Sequence, residues 1–180
     1  MRVIAGALKG RRLKAPTWEG LRPTSDKLRE TLFNIIAPRV GGARVLDGYA
    51  GTGANGIEAL SRGAVEVTFV EKDRRAQQLI AENLAHCGVQ NGCVIIREDI
   101  EHALYGLRGR PAFDIILLDP PYDQCHESVI AMAGNVLLPD GLLIVEHARR
   151  HAAPAVAGTV SRTREVVSGD SALSFYSCQP

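Results

Sequence analysis

The run Phe113-Asp114-Ile115-Ile116-Leu117-Leu118-Asp119 is too short for a buried helix, is entered after Gly109-Arg110-Pro111 and is stopped by Pro120 and Pro121. It therefore reads as a strand buried on both faces. Strands of that kind belong to parallel sheets covered by helices on both sides, and this inference restricts the chain to the α/β class. In an open parallel sheet the ligand crevice lies beyond the carboxyl ends of the strands, so Asp119, Pro120, Pro121 and Tyr122 fall at its mouth. The two prolines stiffen the turn and remove its N–H donors, leaving unclaimed carbonyls beside a carboxylate and an aromatic face. Such a surface suits a flat base carrying an exocyclic amine. The alternative is a plain strand end with a proline turn and a locally packed Tyr122.

The rest of the chain repeats the strand-then-helix alternation. Ala43-Arg44-Val45-Leu46-Asp47 predicts the first central strand, and Gly51, Gly53 and Gly56 follow in G-x-G-x-x-G spacing. That spacing also fits nicotinamide dinucleotides. In the dinucleotide fingerprint, however, the first glycine follows the strand directly and the helix start faces a pyrophosphate. Here Asp47 ends the strand four residues before Gly51. A carboxylate at that place repels pyrophosphate but suits the ammonium and sulfonium charges of S-adenosylmethionine.

A helix closed by Gly63 leads to a strand over 65–70 with Glu71 at its carboxyl end. Glu71 is placed to accept both hydroxyls of an adenosine ribose, or to pair with Lys72 or Arg74 at a helix start. An amphipathic helix over 74–87, with Ala76, Leu79, Ile80, Asn83 and Leu84 inward, is closed by Gly88, and a strand over 93–97 follows. Asp99 then either accepts from an adenine amine, with Ile100 covering the ring, or simply caps the helix over 100–107. Beyond Tyr122 the pattern predicts a helix over 127–137, a strand over 142–146 and a weak helix over 148–157 broken by Pro154. An antiparallel hairpin of 160–167 and 172–177 ends the sheet. The expected architecture is a seven-stranded, mostly parallel sheet with one antiparallel strand and helices on both faces.

The first 44 residues carry ten Lys or Arg against three Asp or Glu, a net +7, on a body whose eleven cations face seventeen acids, a net −6. That asymmetry points to a polyanion held by the amino-terminal end. Residues 1–22 read as a small basic β-hairpin arm around glycine turns. Lys9, Arg11, Arg12, Lys14 and Arg22 are its candidates for phosphate contact, or else cations that guard a sheet edge. A leading helix within 23–42 is capped by Thr24 or Ser25, buries Leu28, Leu32, Ile35 and Ile36, and is expected to stop at Pro38. Arg29 on it could reach phosphate or be a plain surface charge. The core then spans 43–180, and the whole of 1–180 is expected to be a single domain.

Cys87, Cys93, Cys125 and Cys178 show neither C-x-x-C pairing nor histidines at ligand spacing, so reduced thiols and no metal are expected. The apolar runs stop well short of a membrane span and no signal segment opens the sequence, which makes the cytoplasm the expected location.

Asp119-Pro120-Pro121-Tyr122 resembles the motif of methyltransferases that act on exocyclic amines of nucleic-acid bases. With the basic arm, Arg22-Pro23-Thr24-Ser25-Asp26 running into Arg29-Glu30-Thr31-Leu32-Phe33-Asn34, the Val45-Leu46-Asp47 glycine loop, Glu58-Ala59-Leu60-Ser61-Arg62-Gly63-Ala64, Phe69-Val70-Glu71-Lys72-Asp73 and the closing Gly169-Asp170-Ser171-Ala172-Leu173-Ser174-Phe175-Tyr176, the chain resembles the RsmD-type 16S ribosomal RNA guanine-N2 methyltransferases nearly end to end. The resemblance implies a class I methyltransferase (Rossmann-like) fold, S-adenosylmethionine as donor, and one guanine of small-subunit ribosomal RNA, free or in a 30S assembly intermediate, as acceptor. It assigns Asp119, the Pro120 carbonyl and Tyr122 to the base, and Asp47, Tyr49, Gly51, Gly53, Glu71, Lys72, Asp99 and Ile100 to the donor. A monomer acting without a covalent intermediate is expected. Rival readings are an adenine-N6 methyltransferase, a non-catalytic RNA-binding module and a nicotinamide oxidoreductase. Gly48, where the family usually has a large apolar residue, is expected to loosen the donor loop, and Ser168, commonly aromatic, to alter the terminal hairpin's packing.

Overall fold

The computed structural model describes residues 1–18, 26–109, 112–121 and 127–179. After helix α1 (Asp26–Val40) come β1 (Arg44–Gly48), α2 (Ala54–Ser61), β2 (Glu66–Val70), α3 (Arg74–Cys87), β3 (Cys93–Ile96), α4 (Ile100–Leu107), β4 (Phe113–Leu118) and α5 (Glu127–Gly134). Four strands complete the sheet: β5 (Leu137–Ala148), β6 (Val156–Ala157), β7 (Val160–Ser168) and β8 (Ser171–Cys178). Its order is β3-β2-β1-β4-β5-β8-β7-β6. The first five run parallel, and β8 lies antiparallel between β5 and β7. The expected α/β architecture is present, with an eighth strand, the two-residue β6. Since β6 is antiparallel to β7, it runs in the reversed direction of β8, making two reversed strands rather than one.

Alternate strand residues sort into two cores. Val45, Val67, Phe69, Ile115, Leu117 and Ile144 pack with α1, α2 and α3 on one face. Leu46, Ile116, Leu118, Leu143 and Val145 pack with α4 and α5 on the other. The strands carry apolar residues at both parities because both faces are covered. Among the described residues no helix is long and apolar enough to cross a membrane, and Cys87, Cys93 and Cys178 are free thiols.

Several element ends differ from those read in the sequence. Pro38 does not stop α1, which continues to Val40. Proline's φ is helical, and near a helix end it removes only one hydrogen bond. Arg29 is fully buried within that helix, donating to the Arg2 carbonyl at 2.7 Å and to Asp26 at 2.8 Å, so it does not reach out to phosphate. Residues 148–157 form no helix. Their carbonyls at Ala153, Pro154 and Ala155 are taken by Arg162 Nη1, the Tyr176 hydroxyl and the Arg162 amide, which holds the segment extended. α5 ends at Gly134, where a Cβ would lie 2.9 Å from both Thr159 and Val160. Pro139-Asp140-Gly141 forms an irregularity inside β5, whose register with β4 jumps from Leu137 to Leu142, rather than a turn before it. Ser168 closes β7 in register with Ser171, so the hairpin keeps its pairing without an aromatic there.

Among its described residues the amino-terminal arm holds an isolated bridge, Arg2 to Arg12, rather than a regular hairpin. It is clamped to the body instead. The fully buried Glu58 of α2 accepts from the Ile4 and Ala5 amides at 2.7 and 3.1 Å, and also from Arg62 Nε at 2.7 Å. Ser61 accepts from Ala7 through its carbonyl at 2.7 Å and from Leu8 through its hydroxyl at 2.9 Å. Asn83 of α3 accepts from the Lys14 amide at 2.8 Å and donates to the carbonyls of Lys14 and Thr52, joining the arm to the glycine loop. Val3 and Leu13 enter the core beneath.

Candidate active site

The register of the parallel strands brings the predicted acids together. Asp47 is paired with Phe69 on β2 and with Leu117 on β4, so Glu71 and Asp119 follow the neighbouring strand ends on either side of it. The Asp119 amide still points to the Gly48 carbonyl at 3.4 Å, continuing the strand pattern to that residue. Asp47 is buried, and its carboxyl is pushed up to about 8. Burial is the main cause, opposed by the Gly56 amide and reinforced by the negative charges of Asp119 and Glu71. An edge with that electrostatic character favours a cation or a donor of N–H bonds. Pro120 is half-buried beside Asp119, whereas Tyr122 lies outside the described residues.

The glycine loop is built inward. Gly53, at φ 77°, sits in the left-handed region at the N-cap of α2, where a side chain would be strained and its Cβ would press on Ile80 at 3.3 Å. Gly51 donates its amide to Glu71 Oε2 at 2.8 Å, Gly56 donates to Asp47 Oδ2 at 2.8 Å, and Gly53 donates to the Ala50 carbonyl at 2.7 Å. Amides that a dinucleotide fold would offer to pyrophosphate are thus committed to the protein's own acids and backbone, which argues against the nicotinamide reading. Glu71 also accepts from the Asp73 amide at 2.8 Å, so backbone amides hold it. Each carboxylate oxygen retains a second lone pair for a ligand. The set Asp47, Glu71 and the loop backbone therefore fits S-adenosylmethionine.

Tyr49 adopts φ 61°, an uncommon conformation for a bulky residue, and packs against the α4-side core. Gly48 does not leave a hole. A Cβ there would lie 2.6 Å from Leu118 and 2.9 Å from Ile100, so those side chains already fill the space that the expectation of looseness assumed empty. Lys72 is exposed at the rim. Asp99 caps α4, accepting from the His102 amide at 3.0 Å and meeting His102 Nδ1 at 2.6 Å, and these contacts hold its carboxyl below the usual range. Ile100 follows as the first residue of that helix, buried against the same core.

Of the proposed phosphate contacts, Lys9, Arg11, Arg12 and Lys14 are exposed along the docked arm, and Arg22 lies outside the described residues. Arg11 reaches the His86 carbonyl at 3.4 Å, and Lys14 pairs with Glu82 at 2.9 Å. The Arg75 guanidinium stacks over Trp18, its Cζ 5.0 Å from the ring centroid, which brings the arm to the start of α3 just past Glu71. Glu58, Ser61 and Asn83 set the arm's position, a role the sequence does not announce. Asn83 had a signal, a polar residue on an apolar helical face. Glu146, buried at the carboxyl end of the parallel run of β5, was likewise passed over although it repeats the strand-end acid of Asp47 and Glu71.

Residues 1–177 match the family described as conserved hypothetical protein 95. The chain is 38% identical over 179 residues to ribosomal RNA small subunit methyltransferase D of Escherichia coli K12, covering 98% of this chain and 89% of that protein. Among solved structures, the Escherichia coli protein yhhF superposes with a TM-score of 0.84 at 33% identity, covering 100% of this chain and 98% of the other. A hypothetical protein of Thermus thermophilus superposes with a TM-score of 0.81 at 29% identity, covering 97% and 98%.

Proposed function

Because the chain belongs to the RsmD family, we propose that it methylates the exocyclic N2 amine of a guanine in small-subunit (16S) ribosomal RNA, using S-adenosylmethionine. The observation that carries this reading is the adjacency of Asp119 to Asp47 and Glu71 on one carboxyl edge, which puts an amine acceptor and a donor site in one crevice. When bound, S-adenosylmethionine supplies an electrophilic methyl group. The Asp47 carboxylate would meet its ammonium end, Glu71 would take the ribose hydroxyls, and Asp99 with Ile100 would receive the adenine. Tyr49, Gly51, Gly53 and Lys72 line the remainder.

The exocyclic amine is a poor nucleophile because its lone pair is delocalised into the ring. Asp119 and the Pro120 carbonyl accept its two N–H bonds and favour a pyramidal nitrogen whose lone pair is directed at the methyl group, while Tyr122 stacks on the extruded base. Transfer would be a direct displacement in which the new N–C bond replaces the S–CH3 bond and the donor leaves as a neutral thioether, the nitrogen then giving a proton to Asp119. Lys9, Arg11, Arg12, Lys14 and Arg22 hold the phosphates. Lys14 can leave Glu82 for RNA at small cost, since an exposed ion pair contributes little. We place the reaction in the cytoplasm, carried out by a single chain on small-subunit RNA or an assembly intermediate.

The test supplies labelled donor with small-subunit RNA, precursor small subunits and duplex DNA, followed by nucleoside digestion. Label is expected in N2-methylguanosine, and label in N6-methyladenine instead would replace this reading with the adenine one. Asp119→Ala should lower transfer by about a thousandfold while donor binding survives. Full activity in that variant refutes the assignment.

A further inference from the structure

We propose that Glu146 selects guanine over other amine-bearing bases by accepting the N1–H that lies beside the amine held by Asp119. The proposal rests on the guanine-N2 reading above and supplies a physical reason for it. Leu117 pairs with Ile144 and Leu118 with Val145, so Asp119 and Glu146 hold neighbouring positions on adjacent strands, about 4.8 Å apart in the sheet. They share a face as well. Ile115, Leu117 and Ile144 belong to the core under α1, α2 and α3, and Asp119 and Glu146 continue that parity. Pairing with Leu173 of β8 keeps Glu146 within the sheet rather than on a loose turn. The carboxyl edge thus carries an acid on each of four consecutive strands: Glu71, Asp47, Asp119 and Glu146.

Glu146 is only 9% exposed and closes the apolar run Leu142-Leu143-Ile144-Val145. Guanine offers N1–H and the N2 amine side by side, two donors across one ring carbon. Adenine and cytosine each present their amine beside a bare ring nitrogen, whose lone pair would face a carboxylate and be repelled. Two adjacent carboxylates therefore match guanine's edge and mismatch the others. Sites that hydrogen-bond a substrate group reject analogues lacking it far more strongly than apolar pockets do.

Once the modified position is mapped, the experiment compares substrate RNA carrying guanine there with RNA carrying 2-aminopurine, which keeps the N2 amine but has no N1–H. Wild-type protein should favour guanine by about a hundredfold or more in kcat/KM. Glu146→Gln, whose amide can donate to the bare N1, should bring the two substrates within about tenfold while donor affinity and the thermal midpoint hold. Equal use of both bases by the wild-type protein overturns the proposal without any variant. A Glu146→Gln protein that keeps the wild-type ratio, or slows both substrates alike, also overturns it. Absence of N2-methylguanosine altogether would instead remove the reading on which it rests.

Discussion

Asp47 holds a proton near neutral pH because burial and two neighbouring acids disfavour its charge. Its carboxyl stands at about 8 in the fold against an ordinary 3.8, so the native state binds more protons than the unfolded chain between those values. The contribution of Asp47 to stability of the free protein therefore falls as pH rises through that window. A cationic donor reverses the balance by favouring the carboxylate. Binding of S-adenosylmethionine at pH 7 is expected to release about one proton, read by calorimetry in buffers of different ionisation enthalpy, and Asp47→Asn should abolish the release. A wild-type protein that releases none would show that Asp47 does not face the ligand's charge. Glu71, by contrast, is oriented by the Gly51 and Asp73 amides, so the two acids are held in different ways.

At the scale of elements, the arm owes its place to a contact that admits no side chain. Gly6 has φ 82°, and a Cβ there would fall 1.8 Å from the Ser61 carbonyl oxygen. Gly6→Ala should detach the arm at a cost of about 1–3 kcal/mol. Hydrogen exchange would show Ile4, Ala5, Ala7 and Leu8 losing protection while the sheet core keeps its own; unchanged protection would mean the clamp is not what holds the arm. How legible an element was followed from where its instructions lie. α3 and α4 carry their own caps, Asp73 with Gly88 and Asp99, and both were read to the residue. The strand-end acids Asp47, Glu71 and Asp119 were equally readable, since strand, turn and acid are consecutive. Glu58 and Ser61 were not, because their partners are amides 53 or 54 residues away, a distance no periodicity encodes. The course of 148–157 depends in the same way on Arg162 and Tyr176, which follow it in sequence.

Taken whole, the molecule sets a cationic arm beside an acidic crevice, two surfaces of opposite electrostatic character. Neutralising Arg11 and Arg12 together should weaken RNA binding and reduce the slope of log affinity against log salt by about 2, leaving donor affinity intact. A slope and affinity at wild-type values would reassign the arm to structure. The path of the strands has a further bearing on how the protein comes into being. β8 follows every other strand in the sequence yet lies inside the sheet, between β5 and β7. During synthesis, β5 and β7 must each wait with a raw, unsatisfied flank until that segment leaves the ribosome and slides between them. The sheet thus closes only once β8 has been made, and the waiting intermediate is the form most exposed to proteolysis and to mispairing with its own kind.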